Sequence, residues 1–231
     1  MLNILLKQIW GKAQKDEKLL LVLARIYNMV NFRSEKIRGK KNLISYKTSF
    51  LKKVKITIIG DNNRIIINNR SRLINSKINM IGSNHILEIG DNCIISNCTL
   101  NFEDENDVIS IGNDTSIEGA KIATIEQSKI IIGEDCMLAD KIEIRTGDSH
   151  SIIDVKSNKR INPSKDIKIG NHVWIGTSVT ILKGNTIGEN CTIGIGSIIT
   201  KDVPKDCIAV GIPAEVIKEN TNWKRERIEV G

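Results

Sequence analysis

Isoleucine recurs every six residues through the C-terminal half of the chain, at Ile169, Ile175, Ile181, Ile187, Ile193 and Ile199, and glycine follows four of these six. Such a hexapeptide period predicts a parallel β-helix, in which each hexapeptide supplies one short strand and one corner. Four residues after each isoleucine stand Val173, Val179, Asn185, Cys191, Ser197 and Val203. Most of these are small or β-branched and suit a second inward position. Asn185 departs from that pattern.

A looser form of the signature runs earlier, at Ile59-Gly60, Ile81-Gly82, Ile89-Gly90, Ile111-Gly112 and Ile132-Gly133. The steps from Ile89 to Ile111 and from Ile111 to Ile132 are 22 and 21 residues, which read as coils of three hexapeptides with small corner insertions. No single coil can bury its apolar edge, so stacking must create the core. The Asp and Asn residues after the Ile-Gly pairs tolerate the backbone angles that tight corners demand. Cys93, Cys136 and Cys191 fall at the small inward position, where free cysteine acts as a small hydrophobe. With Cys98 and Cys207 they make an odd set without a CxxC pair, so neither a zinc site nor a disulfide framework is expected.

Two segments break the period. Residues 1–42 carry helix-spaced apolar positions at Ile4, Leu5, Ile9, Leu19, Leu20, Leu23, Ile26, Tyr27 and Val30, which predict one or two amphipathic helices capping the open end of the coil stack. Residues 145–168 are too polar and too long for a corner, and a long excursion from a regular repeat is usually functional. The expected organisation is a helical basic cap over 1–42, an all-β domain over 43–217 with the excursion inserted, and a tail with a short helix over 218–231.

Aromatic residues make up only 3% of the chain, in keeping with stacked short strands. The formal charge of +7 is lopsided: residues 1–55 hold 14 Lys and Arg against Asp16, Glu17 and Glu35, a net +11. That basic head suits assembly or peripheral contact with an acidic membrane surface. Nucleic acid is a poor partner, because the repeats offer almost no aromatic platforms between their charges. The longest apolar run, Leu19 to Ala24, is too short to span a bilayer, and the N-terminus lacks a secretory pattern, so a cytoplasmic address is expected.

From Ile167 to Lys218 the blocks VWIG, IGIGS, TKDVP and GIPAEVI stand in an order and spacing that resemble the hexapeptide-repeat acetyltransferases. The excursion, GDSHSIIDVKSNKRINPSKDIKIG, resembles the capsular-polysaccharide and polysialic acid O-acetyltransferase branch. The resemblance implies a left-handed β-helix, a homotrimer and acetyl-CoA as donor. It also implies transfer to a sugar hydroxyl on a capsular or other surface polysaccharide.

Acetyl transfer to an alcohol needs a base, and a neutral imidazole accepts a proton at physiological pH. His150 alone of the three histidines lies in the excursion, and it matches the family's catalytic histidine. Asp148, or equally a backbone carbonyl, would orient its ring. Trp174 matches a position lining the acceptor or pantetheine groove. By residue match, Thr177, Ile195, Thr200, Lys201 and Lys218 would hold coenzyme A, the two lysines facing phosphate. Glu215 departs from the family, where a basic residue is common.

His172 and His85 fall at corners and read as structural. Three other readings stand beside this one: an amino-sugar N-acetyltransferase with the same donor groove, a zinc carbonic-anhydrase-like protein, and a non-catalytic scaffold. Histidine spacings of 65 and 22 residues disfavour the zinc reading, no metal site is expected, and a scaffold leaves the excursion unexplained.

Overall fold

The computed structural model describes residues 16–31 and 34–229. The chain winds as a three-sided prism whose faces are sheets of eight, seven and nine strands among the described residues. It visits the first, second and third face in turn. Within every sheet neighbouring strands are parallel, except for the final strand of the third face.

In-register pairing converts the period into rows. On the second face Ile67, Ile89, Ile111, Ile132, Ile169 and Ile187 stack one on the next. On the first face Ile56, Ile78, Leu100, Ile122, Ile144, Ile181 and Ile199 do the same. All are buried in one continuous core. Burying each such side chain stabilises the stack by about 1.5–3 kcal/mol relative to leaving it in water.

The corners explain the Asn and Asp richness. Asn62, Asn84 and Asn106 adopt left-handed backbone at one corner; Asn92, Asp114, Asp135, His172 and Asn190 do so at the next. These residue types tolerate that conformation because their short polar side chains bond locally. Gly60 has φ 137°, and a Cβ placed on it would lie 1.9 Å from the carbonyl oxygen of Gly82, so a side chain there would hold adjacent coils apart.

The inward cysteines are buried as expected. Burial pushes the Cys98 thiol up to about 12 and the Cys136 thiol up to about 11, which leaves them inert as nucleophiles. Asn185 fits its inward position by donating its amide to the carbonyls of Leu182 at 2.7 Å and Ile199 at 3.4 Å. A buried polar ladder follows the corner between the first and second faces. In it Asn63 takes the His85 N–H, His85 Nδ1 the Asp107 N–H, and Asp107 the Ser128 N–H. The Ser128 hydroxyl ends on Thr146, where the excursion begins.

At the N-terminal end an α-helix over Glu17–Val30 packs on the first strand of the third face; it is capped by Asp16, whose carboxylate accepts from the Lys18 and Leu19 N–H groups. Leu20 and Ala24 bury against Phe50. The Asn28 side chain accepts from the Leu51 N–H at 2.8 Å and donates to the Ser49 carbonyl at 3.0 Å. Ile4, Leu5 and Ile9, the other expected helical positions, lie outside the described residues. The first strand, Ser34–Arg38, already pairs with Lys55–Ile59, so the coil stack reaches back to residue 34.

The C-terminal end corrects an expectation. Instead of a short helix, Ala214–Glu219 forms a strand antiparallel to Cys207–Gly211, and residues 220–229 continue without helix. Inward-facing Ala214 and half-buried Val216 alternate with exposed Glu215 and Ile217, a two-residue period that a strand buries and a helix cannot.

Candidate active site

The excursion leaves the first face after Arg145 and rejoins the second at Ile167, so it projects from the corner between them. It is a built loop. Ile153 bridges Arg160 antiparallel, the Ile161 N–H donates to the Ile152 carbonyl at 2.8 Å, and the Asp154 N–H donates to the Lys159 carbonyl at 2.9 Å. Asp154 closes the tip by accepting from the Ser157 N–H and hydroxyl at 2.7 and 2.6 Å. The base is tied to the prism through Lys165 N–H to the Thr146 carbonyl, Lys129 N–H to Asp166, and an ion pair between Arg160 and Glu126. The bond from Arg160, with one from the Ser164 N–H, holds the Glu126 carboxyl below its usual range.

His150 lies exposed on this loop, and its main chain is fixed by Asn162. The Asn162 side chain is 6% exposed and donates to the His150 carbonyl and the Asp148 carboxylate, each at 2.8 Å. Its oxygen accepts from the Ile152 N–H at 2.7 Å. Asp148 turns to Lys183 at 2.5 Å as well as to Asn162, and these two bonds hold its carboxyl below the usual carboxylate range. Its hydrogen bonds therefore go to the loop's supports and not to the His150 ring. Lys183 also donates to the Asn162 carbonyl at 3.1 Å. Sequence reasoning missed both Asn162 and Lys183; the polar INP segment inside the excursion was the available signal.

Trp174 opens the third-face strand Trp174–Ile175, 40% exposed, in register between Met137 and Thr192. His172 occupies the preceding corner at φ 53°. Its Nδ1 lies 2.7 Å from Asp135 and its Nε2 3.0 Å from the Trp223 carbonyl. The Trp223 ring stacks on it at 4.3 Å and 8°, donates from Nε1 to the His172 carbonyl at 2.8 Å, and tilts towards Trp174 at 6.1 Å. Arg225 completes the clasp through Asp135 at 2.9 Å and the Cys136 carbonyl at 3.1 Å. Partial burial pulls the Asp135 pKa up, but the bonds from His172 and Arg225 outweigh it and hold the carboxyl below its usual range. The tail residues were missed from the sequence, although Trp223 is a lone aromatic in a polar tail.

Of the expected donor residues, Thr177 and Ile195 meet at the corner between the third and first faces, where the Gly196 N–H donates to the Thr177 carbonyl at 2.9 Å. Ile195 is 76% exposed. Thr200 and Lys201 follow the last strand of the first face, and Lys201 pairs with Glu215 at 2.7 Å. Glu215 thus engages one of the two lysines expected to face phosphate; Lys218, on the same strand as Glu215, is exposed. The single chain does not gather the whole set. The His150 loop stands at the first–second corner, Trp174 on the third face and Thr177 at the third–first corner. The histidines are equally dispersed, with His85 fully buried. No cluster of three His, Cys, Asp or Glu able to hold a metal ion occurs among the described residues.

No family model matches the chain. The polysialic acid O-acetyltransferase of Neisseria meningitidis is 38% identical over 191 residues, covering 82% of this chain and 88% of that protein. The polysialic acid O-acetyltransferase of Escherichia coli O1:K1 is 42% identical over 107 residues, and the match spans 46% of this chain and only 34% of that longer protein. Among solved structures, the polysialic acid O-acetyltransferase OatWY superposes with a TM-score of 0.82 at 36% identity, over 87% of this chain and 94% of the other. The polysialic acid-specific acetyltransferase NeuO gives 0.78 at 35% identity, over 84% and 89%.

Proposed function

The chain belongs to the hexapeptide-repeat O-acetyltransferases, left-handed β-helix enzymes that use acetyl-CoA, and from that premise we propose that it acetylates a hydroxyl of a capsular or other cell-surface polysaccharide with His150 as general base. The observation that carries the reading is the built excursion, which presents an exposed imidazole on a main chain fixed by the buried Asn162. Relatives named for polysialic acid make an acidic glycan the preferred acceptor.

In the proposed step a ring nitrogen of His150 takes the acceptor hydroxyl proton as its oxygen attacks the thioester carbonyl. The C–O bond forms, the C–S bond breaks, and the protonated ring returns the proton to the departing coenzyme A sulfur. Trp174 offers an apolar face to the sugar ring or the pantetheine arm. Thr177, Ile195, Thr200, Lys201 and Lys218 line the donor groove, with Lys218 the less encumbered phosphate partner. Asp148 acts through Lys183 and Asn162 to hold the loop's path.

The dispersal of His150, Trp174 and Thr177 over different corners supports a homotrimer in which the loop of one copy meets the coil of its neighbour. Ile152, Val155 and Ile161 on the loop are 55%, 95% and 59% exposed and give that neighbour an apolar contact. Among the described residues no helix is long and apolar enough to cross a membrane. Five free buried cysteines agree with a cytoplasmic location, and the basic N-terminal head with contact to an acidic surface.

The test is incubation with labelled acetyl-CoA and a panel of acidic and neutral bacterial polysaccharides. Label in the glycan that mild alkali releases identifies an ester; alkali-stable label would move the assignment to an amide and to the N-acetyltransferase alternative. Absence of label in every glycan would refute the reading.

A further inference from the structure

Lysines stack on the first face where the fold would be quieter without them. Lys55 pairs in register with Lys77, Lys77 with Thr99, and Thr99 with Lys121. Adjacent strands lie about 4.8 Å apart, so Lys55 and Lys77 are like charges placed directly opposite, an arrangement that costs stability. All three are exposed, and none forms a salt bridge among the described residues. Thr99 shows that an uncharged residue serves the same register position.

The neighbouring outward row starts at Lys36, ends at Arg145, and between them carries Thr57, Asn79, Asn101 and Ala123. Asn79 donates to Asn101 at 2.9 Å, which begins a ladder of amides with further donors and acceptors to spare. Arg38 adds another cation on the outermost strand. Two acids lie on this face: Glu35 on the outermost strand, and Glu143, which stands opposite Lys121 and turns to Arg145 at 3.4 Å. Beside the lysine row a cleft of about 310 Å³ opens at the third–first corner, lined by Asn97, Thr99, Lys121, Asp140, Lys141 and Glu143.

We propose that the first face is a docking track for an acidic polysaccharide chain, leading to the His150 loop. This rests on the acceptor reading above and adds where the polymer lies before and after its reacting residue. From Lys36 to Arg145 the track crosses six strands, about 24 Å at strand spacing. It ends where the excursion begins, because Arg145 is the last residue before the loop. Carboxylates along a glycan relieve the like-charge pair Lys55 and Lys77, and its hydroxyls match the Asn and Thr row. The outward side chains of this face include no aromatic ring, so a stacking polymer such as single-stranded nucleic acid finds no platform.

The experiment uses the full chain and the triple variant Lys55→Gln, Lys77→Gln, Lys121→Gln, with immobilised long-chain polysialic acid as probe and no acetyl donor. Neutral dextran and phosphatidylglycerol vesicles are the comparison surfaces. The expected result is salt-sensitive retention of the natural chain on polysialic acid, weakened at least fivefold in the variant, with a flatter salt dependence. Acetyl transfer to a short sialic acid oligomer should be unchanged in the variant while KM for the long polymer rises.

Equal retention of both proteins on polysialic acid overturns the track, as does lysine-dependent binding to vesicles but not to the glycan. A change of oligomeric state in the variant assigns the face to subunit contact and also overturns it. Lysine-dependent glycan binding without acetylation of either acceptor length leaves the track standing and refutes the acceptor reading instead.

Discussion

The buried amide of Asn162 donates to the main-chain carbonyl of His150 at 2.8 Å, so the residue that would move the proton is held in place through its backbone. Asn162→Ala removes that bond together with those to Asp148 and Ile152. A displacement of the order of 1 Å at a reacting group costs about 10²-fold in rate. The expected result is a fall in kcat of that order with coenzyme A affinity unchanged; equal loss of both would mean that the loop supports the donor groove.

His150→Ala should lower turnover by about 10² to 10⁴ while leaving donor affinity near its natural value, because the base acts only on the acceptor proton. Isothermal titration with coenzyme A separates the two effects, and a His150→Ala protein with near-normal turnover would remove the loop from the chemistry.

His172→Ala should act on the tail. It deletes the Asp135 contact, the bond to the Trp223 carbonyl and the stacked ring. Limited trypsin digestion should then cut faster at Lys224 and Arg225, with turnover reduced far less than in His150→Ala. An unchanged cleavage rate would show that Arg225 and Trp223 hold the tail without the imidazole.

Asp107 predicts a pH dependence of stability. It is fully buried, burial pushes its carboxyl up to about 7, and Oδ2 has no hydrogen-bond partner among the described residues. The folded chain therefore keeps this proton between about pH 4 and 7, where the unfolded chain releases it, and stability falls as pH rises through that window. Burial lowers the pKa of neighbouring His85, which contributes the opposite slope, stability lost as pH falls below 6.5. Asp107→Asn abolishes the first slope and leaves the second. Urea unfolding should show the variant gaining on the natural protein from pH 4 to 7 and then levelling, by about 4 kcal/mol. A difference that does not vary with pH would mean that Asp107 does not titrate in the folded state.

Glu215→Gln should free Lys201. The pair is 59% exposed on each side, so its own contribution is small, on the order of 0–1 kcal/mol. Coenzyme A should bind about twofold to fivefold more tightly in low salt, an advantage that salt erodes. Weaker binding would show that Glu215 orders Lys201 for the donor and does not compete with it.

The interior was legible because isoleucine rows need one residue type at one period, and pairing keeps every row in register. The corner role of His172 was equally readable, since left-handed backbone there falls on Asn and Asp in the neighbouring coils. The first coil was harder: Ser34–Arg38 lacks the Ile-Gly signature, and its place comes from pairing with Lys55–Ile59. The support of His150 was illegible for a different reason. Asn162 reaches it across 12 residues through an irregular hairpin, and no period marks such a contact. The C-terminal clasp joins Arg225 to Asp135 across 90 residues, a distance at which local patterning carries no information.

The Asn28 amide on the Leu51 N–H has a consequence for colloidal behaviour. A solenoid of parallel strands is open at both ends, and each bare end can template another chain into a growing fibril. Here the helix packs on Phe50 and sets the Asn28 amide on the edge strand of the third face, Phe50–Lys52. At the other end Ala214–Glu219 reverses direction, so an incoming coil finds a strand of the wrong polarity. The third face is therefore shielded at both of its edges against pairing with another chain.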